Sequence, residues 1–418
     1  MATALPSHLF DPIRLARLAD GLAVAVAVSL PWSTSATSIL VVVWLIALLP
    51  TLRLAELRRE LTTAAGGLPV LLLLLGIAGM LWADVAPIER WKGLDSFLKL
   101  LAIPLLFIQF RRSDRGLWVI GGYLAACTAL LLVSAFMSMT AGPWWPNPIY
   151  GVPVKNEATQ SGEFVTCIFG LLFLVVEFCE RRRSPWLIGL LAVVAIGMAA
   201  DIFYVATGRT ALVVISVLLV LFAVKKLRVR GIVILSAGAI LLGAVGWMSS
   251  PYLRNRTIDV WLEIQRYETT NETNSSGERI EFWKKSVAFI RAAPIVGHGT
   301  GSMPALFTKS AIGQTGAASS TATNPHNQTF AVAIQLGLIG AGVLWAMWIA
   351  HLLLFRGPGL VEWIGLVLVV QNIVGSLFNS HLFDFGQGWI YVVGVGVAGG
   401  MTLKNLAMQR QARSDRAP

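Results

Sequence analysis

The stretch WLIGLLAVVAIGMAADIFYVATGRTALVVISVLLVLFAVKKLRVRGIVILSAGAILLGAVGWMS, residues 186–249, contains three apolar runs, at 186–205, 209–225 and 231–249, parted only by a short turn and the basic KKLRVR segment. A helix of about 17 to 25 apolar residues crosses the roughly 30 Å of hydrocarbon in a bilayer. Three such runs in 64 residues therefore point to a chain that passes back and forth through a membrane. Working outward, further runs lie near 15–32, 35–51, 67–83, 93–110, 116–139 and 160–179 before this stretch, and near 328–355, 360–379 and 386–405 after it. Composition agrees: 56% of the 418 residues are hydrophobic and 13% charged, against about a quarter charged in soluble domains. A cytosolic enzyme, a nucleic-acid binder and a disordered chain are thereby excluded. Cys127, Cys167 and Cys179 fall in apolar stretches without a CxxC pair, which supports neither a disulfide framework nor a thiolate metal site.

Twelve spans place both termini on one side, and the basic residues identify it. Short segments on the terminal face, such as Arg53–Arg58–Arg59, Arg111–Arg112–Arg115, Arg181–Arg183 and Lys225–Arg230, together with the tails, hold 20 Lys and Arg. The opposite short loops hold four: Arg90, Lys92, Lys155 and Arg209. That asymmetry puts the termini in the cytoplasm and the remaining long loop, about 250–327, on the outer face, which is the periplasm if the cell is Gram-negative. The first run lacks a small-residue cleavage site, so no cleavable signal peptide is expected. The organisation read from the sequence is a membrane domain over 1–249, a periplasmic loop subdomain over 250–327, a second membrane part over 328–405 and a cytoplasmic tail over 406–418.

The long loop exceeds the length of a structureless connector. Ser275 and Glu278 have capping-box spacing, and Ile280, Trp283, Val287 and Ile290 share a helical stripe, so an amphipathic helix is predicted over about 278–292, ending before Pro294. A glycine turn, PIVGHGTGS, follows, then a flexible Ala/Ser/Thr stretch over about 310–323. Asn324 at the N-cap and Pro325 at N1 would open the tenth span. The PWWPNP segment near 143–148, with Trp144 and Trp145, suits a membrane interface.

Five histidines differ in setting. His8 and His351 lie toward the cytoplasmic side, His298 in the glycine turn and His381 near the outer end of the eleventh span. His326 would occupy N2 of the tenth span, where the helix dipole disfavours imidazolium and leaves a neutral ring able to accept a proton. It serves either as a base or merely as a helix cap. Arg209 opens the eighth span, and Arg279 lies in the first turn of the predicted loop helix, where free N–H groups also favour an anion. Guanidinium forks match phosphate oxygens. The alternatives are snorkelling for Arg209 and an ion pair with Glu278, Glu281 or Glu268 for Arg279. The chain has no DxD, P-loop, HExxH or GxSxG motif, which argues against a metal-held nucleotide sugar, ATP, and metalloprotease or serine-hydrolase chemistry. An outward site with two cations and one base suits a lipid-linked phosphate.

At this point the sequence resembles the O-antigen ligase/polymerase superfamily of bacterial envelope glycosyltransferases. The likeness rests on TGRTAL at 207–212, SGERIEFWKKSVAFIRAAPIVGHGTGS at 276–302 and NPHNQ at 324–328, and on one large loop before the tenth span. It implies an all-α, GT-C-like polytopic membrane protein of about 12 transmembrane helices with a large, partly helical periplasmic loop. It further implies an O-antigen ligase that transfers a polysaccharide from undecaprenyl diphosphate to a sugar hydroxyl of lipid A-core in lipopolysaccharide assembly. The reaction would take place at the periplasmic face of the bacterial inner membrane, with inversion and without metal or cofactor. His326 would then be the base, and Arg209 and Arg279 the donor-diphosphate ligands. Arg90, Lys92, Lys155, Asn327, His381 and Asp384 are candidate supporting residues.

The implied partners are the undecaprenyl-diphosphate-linked glycan, lipid A-core and membrane lipids, with no nucleic acid. Rival readings are an O-antigen or exopolysaccharide polymerase, or a protein O-oligosaccharyltransferase, of the same superfamily. A polytopic transporter is a third class, disfavoured by the lack of an inverted repeat and by a folded outer loop with no task in transport.

Overall fold

A computed structural model describes residues 11–140, 151–206, 208–227 and 229–415. His8, Trp144, Trp145, Thr207, Arg228 and Arg416 lie outside these described residues. The described chain is helical from end to end. It runs through α1 (Pro12–Ser29), α2 (Thr34–Leu48), a short α3 (Leu54–Leu61), α4 (Ala64–Gly79) and α5 (Pro87–Leu98), which continues through a tight turn at Lys99–Leu101 into α6 (Ala102–Arg112). Then come α7 (Gly116–Met139), α8 (Glu157–Glu180), α9 (Pro185–Tyr204), α10 (Arg209–Lys226) and α11 (Val229–Ser249). The long loop holds α12 (Pro251–Thr270), α13 (Ser275–Ala292) and α14 (Met303–Ala311), and the chain closes with α15 (Gln328–Leu354), α16 (Leu360–Gly375) and α17 (Phe385–Ser414).

Every one of the twelve apolar runs lies on a helix, and the protein is an all-α polytopic membrane protein. Among the described residues, eight helices are long and apolar enough to cross a membrane, or nine if α3 and α4, bent by 88°, form one span. This is fewer than twelve because α1 carries Arg14, Arg17 and Asp20, α10 carries basic residues at both ends, and α16 is only 16 residues long.

The core is aromatic and closely packed. Phe107, Phe110, Phe164, Phe169, Trp348, Trp363 and Tyr391 are all but fully buried. Gly396, Gly399 and Gly400 of α17 face Leu106, Phe107 and Phe110 of α6, so near that any side chain there would collide with them. Small residues at such spacing let helices approach in lipid, where van der Waals contact rather than water exclusion drives association. Buried polar groups are paired across helices: Trp363 donates to the Phe169 carbonyl at 2.8 Å, and Gln371 links Thr166 and the Gly162 carbonyl at 2.9 and 2.8 Å. These bonds fix α16 against α8, and both helices border the site described below.

The loop departs from the sequence reading in four places. Residues 251–270, too polar for a span and lacking a clean apolar stripe, form the full helix α12. Helix α13 begins three residues before 278 and is capped by Asn274, which accepts from the Gly277 N–H at 2.9 Å; Ser275 does not cap it. The Ala/Ser/Thr stretch is ordered by a helical turn at Gly316–Ser319, and Lys285 donates to the Ala318 carbonyl at 2.6 Å.

The fourth departure is the glycine turn, which is a strap. Helix α15 is broken at Gly337 (φ 65°, ψ −166°), a conformation open to glycine and strained for other residues. The break frees backbone groups that the strap takes up: His298 and Gly299 donate to the Ile334 and Gln335 carbonyls at 2.8 and 2.9 Å, and Leu338 donates back to Pro294 at 2.8 Å. Thr300 extends the stitching to α4 through the carbonyls of Gly76 and Gly79. Irregular backbone within a membrane protein is tolerated where protein satisfies its polar groups, as here. The strap is followed by α14, and with α13 and the start of α15 it encloses a small core of Phe282, Met303, Phe307, Ala331 and Ile334. In this way the loop is seated rigidly on the membrane helices.

Candidate active site

Three asparagine caps set the local frame. Asn156, Asn274 and Asn327 open α8, α13 and α15, each accepting from the N–H three residues on. Such caps typically contribute about 1 kcal/mol each. Helix α15 therefore starts at Gln328, three residues later than an Asn324 cap would place it. Asn324 instead accepts from the His326 N–H at 2.6 Å, and this turn holds His326 in the left-handed region at φ 53°. His326 thus lies outside the helix, and the dipole argument for its neutrality falls away. Burial takes its place as the main cause: it lowers the imidazole pKa below 6.5, Arg279 lowers it further, and a hydrogen bond to Asn379 and the charge of Glu278 oppose the shift.

The Asn379 bond also fixes the tautomer. Asn379 Nδ2 donates to Asp384 Oδ2 at 2.8 Å, so the amide oxygen faces His326 Nδ1 at 3.0 Å and must accept from it. The proton sits on Nδ1, and Nε2 keeps its lone pair. Behind this pair, Lys99 is buried and donates to the Phe383 and Asp384 carbonyls at 3.1 and 3.0 Å. Burial raises the Asp384 carboxyl to about 6, with Lys99 opposing. The face of the imidazole stacks on Phe282 of α13, with centroids 6.1 Å apart.

One turn before Phe282 on α13 is Arg279. It is the fifth residue of the helix, not part of its first turn, where Glu263 and Asn274 take the N–H groups of Ser276 and Gly277. Arg279 and Arg209 line one cavity of about 250 Å³, with Gly208, Thr210, Glu263, Gln371 and His381 among its walls. Among the described residues no carboxylate lies within ion-pair distance of Arg279: Glu281 binds Tyr267 and Lys284, and Glu278 accepts from Ser320. Burial lowers the Arg279 pKa, the Arg209 charge adds to that, and Glu263 opposes it. Arg209, the first residue of α10, meets Glu263 of α12 at 3.5 Å. Burial pushes the Glu263 carboxyl up, but the Ser276 hydroxyl at 2.6 Å, Arg209 and the Ser276 N–H together hold it below its usual range.

The structure thus gathers Arg209, Arg279 and His381 around one cavity. The charge of Arg279 also acts on His326, which Asn379, backed by Asp384, holds in place. The other supporting candidates do not line this cavity and have local partners. Arg90 donates to the Val85 and Met80 carbonyls, Lys92 pairs with Glu89, and Lys155 bonds Glu163 and the Leu30 carbonyl. Asn327 caps α15 and donates to the Leu377 carbonyl. Sequence reasoning missed Glu263, which lies on the unforeseen α12, and Asn379, which lies in an ordinary-looking turn five residues before Asp384.

Residues 196–345, which include Arg209, Arg279 and His326, match the family model described as O-Antigen ligase (Wzy_C). Members of that family are glycosyltransferase-like enzymes acting on lipid-linked glycans. A comparison with curated proteins returned no match. The segment that carries Arg209, Arg279 and His326 is thus similar to the O-antigen ligase/polymerase superfamily.

Proposed function

We propose that the protein is an O-antigen ligase that moves a polysaccharide from undecaprenyl diphosphate to a sugar hydroxyl of lipid A-core. The observation that carries this reading is the pair Arg209 and Arg279 in one cavity, with no carboxylate among the described residues within ion-pair distance of Arg279. Two cations held together repel each other, and an anion bridging them relieves that repulsion. Charge-assisted hydrogen bonds to such an anion contribute roughly 1.5 to 3 kcal/mol each.

In the proposed step, the acceptor hydroxyl oxygen attacks the anomeric carbon of the donor sugar while the bond from that carbon to the diphosphate oxygen breaks. The bonding electrons leave with the diphosphate, whose growing charge Arg209 and Arg279 stabilise. The hydroxyl proton passes to His326 Nε2, which is unprotonated because Asn379 holds the hydrogen on Nδ1. His326 feels the charge of Arg279 but does not line the cavity, which suits a base that serves the acceptor while the cations serve the donor. A single displacement of this kind inverts the anomeric centre. The basic-residue asymmetry supports termini in the cytoplasm and a site on the opposite, periplasmic face.

The test is purified protein supplied with undecaprenyl-diphosphate-linked glycan and lipid A-core, without ATP or added metal. Glycan appearing on lipid A-core supports the ligase. Longer lipid-linked glycan with no modified lipid A-core would reassign the protein as a polymerase.

A further inference from the structure

The turn over 376–384, between α16 and α17, serves two sides of the site. Asn379 and Asp384 hold His326, whereas His381 belongs to the wall of the cavity shared by Arg209 and Arg279. His381 is only 8% exposed, and its Nδ1 is wholly enclosed with no hydrogen-bond partner. The ring lies so near Gly375 that a Cβ there would collide with Nδ1 and Cε1, so the close approach of α16 leaves room only for glycine. Burial alone holds the imidazole pKa down at about 4, so the ring is neutral near pH 7 and carries one N–H.

The position of that hydrogen follows from the enclosure. Buried N–H groups without acceptors are rarer than buried acceptors without donors. A hydrogen on Nδ1 would be stranded against Gly375, so it resides on Nε2. With Nδ1 closed off, Nε2 is the ring nitrogen left to face the cavity. The neighbouring Gln371 cannot play the same part, because its amide nitrogen donates to the Gly162 carbonyl and to Gln387 Oε1 and its oxygen accepts from Thr166. A neutral donor beside two guanidinium groups adds a hydrogen bond for an anion without adding a third mutually repelling charge.

We propose that His381 is a donor-binding residue whose Nε2–H hydrogen-bonds a phosphate oxygen of the lipid diphosphate held by Arg209 and Arg279. This rests on the reading that the cavity takes the donor diphosphate, and the test separates the two.

Full-length protein in lipid nanodiscs is titrated with inorganic pyrophosphate, comparing wild type with His381→Phe, His381→Gln and the double variant Arg209→Ala/Arg279→Ala. Phenylalanine fills the ring's space without a donor, and glutamine restores an N–H near the Nε2 position. The expected result is binding weakened about tenfold in His381→Phe, largely recovered in His381→Gln and lost in the double arginine variant. Wild-type affinity in His381→Phe, with binding lost in the arginine variant, overturns the role of His381 and leaves the anion cavity standing. Wild-type affinity in the arginine variant overturns both. Should the phenylalanine variant not fold, ¹⁵N-histidine spectra of the wild type decide instead. A neutral Nε2–H imidazole that shifts on adding pyrophosphate, and is missing from His381→Gln, is expected; an unmoved resonance or an Nδ1–H tautomer overturns the assignment.

Discussion

Asn379 Oδ1 lies 3.0 Å from His326 Nδ1, and because the amide nitrogen of Asn379 is bound to Asp384, the contact holds the histidine in the tautomer that leaves Nε2 free. Replacing Asn379 with alanine should lower kcat roughly 10- to 100-fold through misorientation of the base, by analogy with second-layer partners elsewhere. Donor KM should stay near wild type, since Asn379 does not line the anion cavity. Steady-state kinetics with both substrates varied would check this; an unchanged kcat would remove Asn379 from the mechanism.

The pH profile carries a sign. A general base must be neutral, so the rate falls as pH drops through its pKa. Burial and Arg279 hold His326 below 6.5, and the acid limb of kcat should therefore lie below the ordinary histidine value. Arg279→Gln removes a depressing charge and should move the limb to higher pH at saturating donor. Asn379→Ala removes the bond that raises the pKa and should move it lower. Limbs shifting in the opposite senses would exclude His326 as the titrating base.

Glu263 takes the Ser276 N–H and meets Arg209, both of which would otherwise be open to an anion. Glu263→Gln should therefore tighten pyrophosphate binding by about three- to fivefold, a modest figure because the pair is partly solvated. Weaker binding in this variant would mean that Glu263 holds Arg209 in place and does not compete with the ligand. Calorimetric titration distinguishes the two outcomes.

Gly337→Ala tests the strap. A Cβ at φ 65° is strained and would also strike the Ile295 carbonyl, so destabilisation of about 2 kcal/mol or more is expected. Gly342→Ala, on the same helix with open space around it, should be neutral or slightly stabilising. Thermal unfolding of both variants in one detergent provides the comparison.

The fold was legible because hydrophobic run length is a coarse signal set by bilayer thickness, and all twelve apolar runs lie on helices. Their boundaries were less legible: Asn324 and Asn327 both have the chemistry of a cap, and only tertiary contacts with Ser380 and Leu377 show which one opens α15. Arg209 and Arg279 could be picked out because charge is conspicuous at the ends of apolar runs. Asn379 and Glu263 could not, since an amide in a turn and an acid on a polar helix acquire meaning only through partners more than 50 residues away. The strap was half visible: its glycines announced a turn, but the break at Gly337 that receives it has no signature apart from one glycine among several in α15.

The most direct test of the central claim compares His326→Ala with wild type in transfer from undecaprenyl-diphosphate-linked glycan to lipid A-core at saturating donor, with pyrophosphate affinity measured on the same preparations. The account predicts transfer reduced about 10²- to 10⁴-fold, the usual span for loss of a general base, with anion affinity unchanged. Transfer near the wild-type rate, or lost transfer explained entirely by lost anion binding, would contradict it.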